Sequence, residues 1–169
     1  MNFAEKEFIN LIETNQGIIH KVCAMYCQDN NDKKDLYQEI ILQLWKALPT
    51  FSGNAKVSSW MYQIALNTAI TQLRKSYKKP KFEAVSEPIL NISADDYDES
   101  YEAKSAFLYA AIKQLSEIEK AVIMLYLEEY PNEQIAEIMG ITQNNVRVKL
   151  HRIQEKIKDI LTTKNYERA

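Results

Sequence analysis

The chain is predicted to be all-α, with two small helical domains joined by a flexible linker, and three observations lead there. Apolar residues recur at intervals of three and four along most of the 169 residues, the spacing of a helix with one buried face. Breakers are few, three glycines and four prolines, and no two alternating runs are joined by the Asn-Gly or Asp-Gly turn of a hairpin. Charge is unevenly distributed: residues 1–79 carry 10 Lys and Arg against 7 Asp and Glu, residues 80–100 carry 1 against 6, and residues 101–169 carry 10 against 10. The middle stretch also holds Pro80, Pro88, Asp95, Asp96, Asp98 and Glu99, and it lacks an apolar stripe until about Tyr101. Residues 80–103 are therefore read as an acidic linker between domains at 1–79 and 104–169.

With 46% hydrophobic residues the chain can bury a core. No apolar run reaches the roughly 18 to 20 residues a membrane helix needs, so no direct membrane insertion is expected. Glu5, Lys6 and Glu7 do not form a signal-peptide start, and a cytoplasmic protein is the expectation.

The first apolar residues to consider are Ile19, Val22 and Met25, which accompany His20, Cys23 and Cys27 on one helix. The four-residue spacing places both thiols on one face, where packing is the favoured reading over a metal site, because no fourth ligand is near. No metal and no cofactor is expected. From Asp35 to Leu48 the next helix has Leu36, Ile40 and Leu44 as its inner stripe. Its outer set, Asp35, Gln38 and Glu39, presents acceptors one turn apart without matching lysines on the same helix. Pro49 breaks that helix, and a loop through Phe51, Ser52, Gly53, Asn54 and Lys56 leads to Ser58-Ser59-Trp60, where a new helix can be capped. Tyr62, Leu66, Ala69 and Leu73 form its core face, while Gln63, Asn67, Thr71 and Arg74 form a polar stripe. Lys75, Lys78, Lys79 and Lys81 follow. A polar and basic helix edge beside a loop of aromatic and small residues suits a melted nucleic-acid strand, whose bases stack or enter pockets while cations hold the backbone. Trp60 is either a stacking surface or a core residue, with core favoured.

After the linker, Ser116 and Glu119 form a capping box that starts a helix with Ile118, Val122 and Leu125 inward, running to about Glu128. Pro131 precedes a short helix that Asn132 can cap, with Ile135, Ala136 and Met139 inward, and Gly140 closes it. Thr142 caps a final helix whose inner stripe is Val146, Leu150, Ile153 and Ile157. Two helices joined by Gly140-Ile141-Thr142 have the length and turn chemistry of a helix-turn-helix. A 100° advance per residue turns Asn144, Arg147, Val148 and His151 outward, with Lys149 and Arg152 on the flanks. Asn suits adenine, Arg suits guanine, Val148 can pack on a thymine methyl, and the flanking cations suit phosphates. Residues 140–158 hold five cations against one acid, the electrostatic footprint such a surface needs.

Three blocks in order, DLYQEIILQLWKALPTF, WMYQIALNTAITQLRK and LSEIEKAVIMLYLEEYPNEQIAEIMGITQNNVRVKLHRIQEKI, resemble the sigma factors of bacterial RNA polymerase, specifically the small extracytoplasmic-function group. They cover most of the chain outside the linker and the first turns. The resemblance implies that Asp35, Gln38 and Glu39 meet the clamp helices of the largest subunit of the RNA polymerase core. It implies that the loop bearing Phe51, Ser52, Asn54 and Lys56 captures a flipped base of the -10 element, on a helix where Gln63, Asn67 and Arg74 contact that element. It further implies that the last helix, with Gln143, Asn144, Arg147, Val148, Lys149, His151 and Arg152, reads the -35 element of promoter DNA. An anti-sigma factor is implied as a further partner. Two departures stand out: Thr71 lies where family members commonly carry an acid, and Pro131-Asn132 replaces a more usual aromatic or Ser-like entry.

The function expected is to direct polymerase to promoters and assist their opening, with no chemistry by the chain itself. No Ser-His-Asp set, phosphate-binding glycine loop or paired-histidine motif argues for catalysis. The runner-up is a stand-alone helix-turn-helix regulator, which would have no use for the Asp35, Gln38, Glu39 face. A purely protein-binding helical adaptor comes third.

Overall fold

The computed structural model describes residues 3–77 and 99–168. Seven α-helices and one short 3-10 turn account for the order among these residues, and none of them is in a strand. The helices are α1 (Phe3–Tyr26), α2 (Asn30–Ala47), α3 (Val57–Tyr77), α4 (Glu99–Ile112), α5 (Glu117–Leu127), α6 (Asn132–Met139) and α7 (Gln143–Arg168), and the turn at Leu48–Thr50 follows α2. The central part of the expected linker, together with Lys78, Lys79 and Lys81, lies outside the described residues. The last residues of the 80–103 stretch are helical, because α4 already begins at Glu99.

Each of the first three helices packs on the other two. Asp29 starts α2 by accepting the Asn31 amide at 3.1 Å, and Leu36, Ile40 and Leu44 are its buried stripe, as the periodicity predicts. Pro49 lies in the 3-10 turn that ends this segment. Helix α3 begins one residue before the expected Ser58-Ser59 cap, at Val57, with the Lys56 carbonyl accepting the Trp60 amide at 3.1 Å. Both serines are therefore inside the helix.

In the C-terminal unit α7 packs against α4, α5 and α6. The capping box at Ser116 is present in both directions, the Glu119 amide donating to Ser116 Oγ at 3.3 Å and the Ser116 amide to Glu119 Oε2 at 3.1 Å. Pro131, rather than Asn132, is the cap of α6, and its carbonyl accepts the Ile135 amide at 3.0 Å. A proline fits there because it has no N–H to leave unpaired at the helix entry. Ile135, Ala136 and Ile138 are buried, and Met139 is half-buried.

The two units share one continuous set of buried side chains, because α3 also packs on α5 and α6. Met61, Ala65 and Ile70 are buried beside the expected Tyr62, Leu66 and Ala69, and Tyr62 meets Tyr130 of the other unit edge-on at 5.7 Å. No helix among the described residues is long and apolar enough to cross a membrane.

Candidate functional site

On α2 the buried stripe holds the helix down and turns Asp35 and Gln38 to solvent, while Glu39 is half-buried. Glu39 does not stand alone: the Gln43 side-chain amide, one turn on, donates to its Oε1 at 2.8 Å. The same outer face continues into two apolar residues that hydrophobicity alone would assign to a core. Leu42 is 43% exposed and Trp45 40% exposed, with the Trp45 ring meeting Phe8 edge-on at 5.0 Å. Their signal in the sequence is the i+4 and i+7 spacing from Gln38, which puts them on its side of the helix. Hydrophobic side chains left in water at the end of an acidic stripe are a natural centre for a protein interface.

Loop residues Ser52, Asn54 and Lys56 are exposed and Phe51 is half-buried. Phe51 and Trp60 stack in a tilted pair at 4.7 Å, so Trp60 packs at the edge of the core and also walls the loop. Along α3, Gln63, Asn67, Thr71 and Arg74 are all exposed, as their spacing predicts. The loop and Arg74 lie at opposite ends of this stripe, about 25 Å apart at 1.5 Å per residue. A groove of about 830 Å³ runs between α2 and α3, with Asp35, Glu39 and Gln43 among its lining residues from α2 and Asn67, Thr71 and Lys75 from α3. The acidic face of α2 is thereby contiguous with the polar stripe of α3.

The helix-turn-helix forms by local chemistry. Gly140 adopts the left-handed conformation (φ 66°, ψ 34°), which lets the Ile141 amide reach back to the Ala136 carbonyl at 3.0 Å and close α6. Thr142 Oγ1 accepts the Asn145 amide at 3.1 Å and caps α7. Val146, Leu150 and Ile153 are then buried, and Ile157 half-buried. Gln143, Asn144, Arg147, Val148, His151 and Arg152 are exposed, and Lys149 is half-buried. Val148, an aliphatic side chain 39% exposed among polar neighbours, is the outlier on this face. At the far side of the unit Lys156 pairs with Glu119, tying α7 to the α5 cap. Burial alone would raise the Glu119 carboxyl, but hydrogen bonds from Lys156 and from the Ser116 amide hold it below the usual carboxylate range.

Cys23 is buried within the α1 packing, and loss of water with the Cys27 thiol nearby pushes it up to about 11. His20 is exposed, with its ring against Tyr37 at 4.9 Å.

A three-helix unit with an acidic and a polar face, followed by a helix-turn-helix, defines a DNA-binding protein that also meets a protein partner. Sigma-70 region 2 matches residues 11–79, and Sigma-70, region 4 matches residues 108–157. The chain is 26% identical over 145 residues to the RNA polymerase sigma factor SigV of Bacillus subtilis, covering 85% of this chain and 84% of that protein. It is 26% identical over 170 residues to the ECF RNA polymerase sigma-E factor of Haemophilus influenzae, covering 92% and 87%. Among solved structures, the sigma factor RpoE in complex with the anti-sigma factor NepR from Bartonella quintana matches with a TM-score of 0.70 at 16% identity, covering 93% of this chain and 98% of that one. CnrH in complex with the cytosolic domain of CnrY matches with a TM-score of 0.65, also at 16% identity, covering 94% and 90%. The chain belongs to the extracytoplasmic-function group of the sigma-70 family, and its role is promoter-specific transcription initiation.

Proposed function

We propose that the chain delivers core RNA polymerase to promoters by a division of labour between its two faces. Asp35, Gln38 and Glu39 engage the clamp helices of the largest polymerase subunit, with Leu42 and Trp45 extending the contact. Phe51, Ser52, Asn54 and Lys56 take up a base of the -10 element, and Gln63, Asn67 and Arg74 follow the strand along α3. Gln143, Asn144, Arg147, Val148 and His151 read the -35 element in the major groove, while Lys149 and Arg152 hold phosphates. These assignments divide the chain into units at 1–79 and 104–169. The chain acts in the cytoplasm and carries out no bond chemistry; nucleotide addition belongs to the polymerase. The sigma factor RpoE named above is bound to the anti-sigma factor NepR, and an anti-sigma factor is proposed to hold this chain in the same way.

The observation that carries the proposal is the first half of α7. Val146, Leu150 and Ile153 lock it onto the unit while Asn144, Arg147, Val148 and His151 stay in solvent, including an aliphatic residue with no packing reason to be there. Transcription by purified core polymerase on a genomic library, with and without the chain, tests the function directly and should yield a restricted set of starts that depend on it. Replacing Asp35, Gln38 and Glu39 together by Ala should abolish co-purification with polymerase. A stand-alone regulator would be indifferent to that change and would bind its operator without polymerase.

A further inference from the structure

From Val57 to Leu73, α3 carries no charged side chain. Lys56 stands just before this stretch and Arg74 and Lys75 just after it, so the cations are about 25 Å apart along the helix. What the stretch exposes is Gln63, Asn67 and Thr71, each four residues from the next, which presents one hydrogen-bonding side chain about every 6 Å. A helix that gripped DNA through phosphates would need cations along this face, and its affinity would fall steeply with salt. A neutral face between two cationic ends has to work through the bases instead.

The three side chains are also free to do so. Elsewhere the chain uses such groups internally: the Asn15 amide donates to the Leu11 carbonyl at 2.9 Å and the Gln43 amide to Glu39 at 2.8 Å. Thr14, Thr50, Thr68, Thr162 and Thr163 donate to backbone carbonyls three or four residues earlier, and Thr142 accepts the Asn145 amide. Among the described residues Thr71 is the one threonine whose hydroxyl meets no protein partner, although the Asn67 carbonyl one turn back offers the bond that Thr68 makes with Ile64. The side-chain amides of Gln63 and Asn67 are likewise unpaired among the described residues. Placement adds a direction. Thr71 lies on the lip of the groove between α2 and α3, with Asn67 and Lys75 on its own side and Asp35 and Glu39 across from it. That acidic wall repels phosphate, so the strand's backbone is kept to the Gln63 and Arg74 side of the stripe, and a base edge is what reaches Thr71. Its hydroxyl can donate and accept, so it can pair with either kind of group on that edge.

We propose that Thr71 is a further base-reading residue of the downstream site. It stands after Gln63 and Asn67 in an uncharged ladder that meets successive bases of the -10 element, while Lys56 and Arg74 hold the strand at the two ends. This inference rests on the assignment of α3 to that element above. It separates two jobs along one helix, specificity in the neutral middle and grip at the charged ends.

The test uses holoenzyme reconstituted from core polymerase and the full chain, with competing promoters changed one base pair at a time through the -10 element. Thr71→Val keeps the size of the side chain and removes its hydrogen bond. It should flatten the preference at one position by about two- to tenfold and leave the other positions as they are. Asn67→Ala should act at a neighbouring position and Gln63→Ala one further on, in that order along the strand. Thr71→Ser keeps the hydroxyl and should keep the wild-type preference. Salt separates reading from gripping: the slope of log affinity against log salt should be unchanged in Thr71→Val and shallower by about one in Arg74→Ala. Unaltered base preferences in Thr71→Val, equal weakening on every promoter, or a Thr71→Ser variant that behaves like Thr71→Val would each overturn the inference and leave the division of labour between the two faces standing. A wild-type chain that selects no promoter with core would overturn that division of labour, and the inference with it.

Discussion

Replacing a glycine by alanine should have opposite signs at two positions of this chain, and the structure says why. At Gly140 the backbone has φ 66°, and a Cβ there would meet no heavy atom within 4 Å, so sterics with neighbours contribute nothing. What remains is the intrinsic cost of the left-handed conformation for an L-residue, about 1 to 2 kcal/mol. At Gly17, inside α1, a Cβ also meets nothing within 4 Å, but the backbone is helical. There Ala is better than Gly by about 0.8 to 1 kcal/mol. For a chain of this size each kcal/mol moves the melting midpoint by about 2 to 4 °C. Gly140→Ala should therefore lower Tm by about 2 to 8 °C and Gly17→Ala raise it by about 2 to 4 °C, measured by circular dichroism at 222 nm. The double variant should lie near the sum, because the sites share no partners. A Gly140→Ala protein as stable as the wild type would mean that the α6–α7 turn is not held as described, and the helix-turn-helix geometry would fall with it.

Arg147→Ala should weaken promoter binding by the holoenzyme by about 1 to 3 kcal/mol and relax discrimination at one base pair, read by competition against a set of single-base promoter variants. Lys149→Ala should instead weaken all promoters alike and flatten the salt dependence. The Glu119 carboxyl is held below its ordinary range in the folded chain, so it contributes stability that is present above its unfolded pKa and lost as the pH falls through the lower folded one. Glu119→Gln should accordingly remove part of the acid-side decline in Tm between neutral pH and about pH 3, and an unchanged decline would show that the Lys156 pair does not couple to folding. With its thiol raised to about 11, Cys23 should resist alkylation at pH 8 until the chain is denatured, as intact-mass measurements would show.

What could be read from the sequence was whatever depends on neighbours along the chain. The caps at Ser116, Gly140 and Thr142 each act within five residues, and all three are where the turn chemistry places them. The outward set on α7 follows from a single buried stripe, so a 100° rotation suffices to find it. The resemblance carried by three sequence blocks then supplied the family that the comparisons establish. Non-local facts were not legible. Helix α3 packs on α5 and α6 as well as on α1 and α2, and one helix's periodicity cannot announce a partner nearly 60 residues away. Leu42 and Trp45 were hidden by the opposite default, since apolar residues on an amphipathic helix are assumed to face inward. The entries to α3 and α6 shifted by two residues and one because Lys56 and Pro131 need supply only a carbonyl to start a helix, whereas side-chain capping signals point to Ser58 and Asn132.

Burial on two sides leaves α3 little room to diversify. A substitution on its inner faces disturbs packing with either α1 and α2 or α5 and α6, so on the assignment proposed above, variation in the downstream half of the promoter falls mainly to Gln63, Asn67, Arg74 and the 51–56 loop. The first half of α7 is under no such double constraint: Gln143, Asn144, Asn145, Arg147, Val148 and His151 can all be exchanged without opening a cavity. If α7 reads the upstream element as proposed, preference for it should drift faster than preference for the downstream one, and a mutant library aimed at new target sites would do best to randomise α7 first.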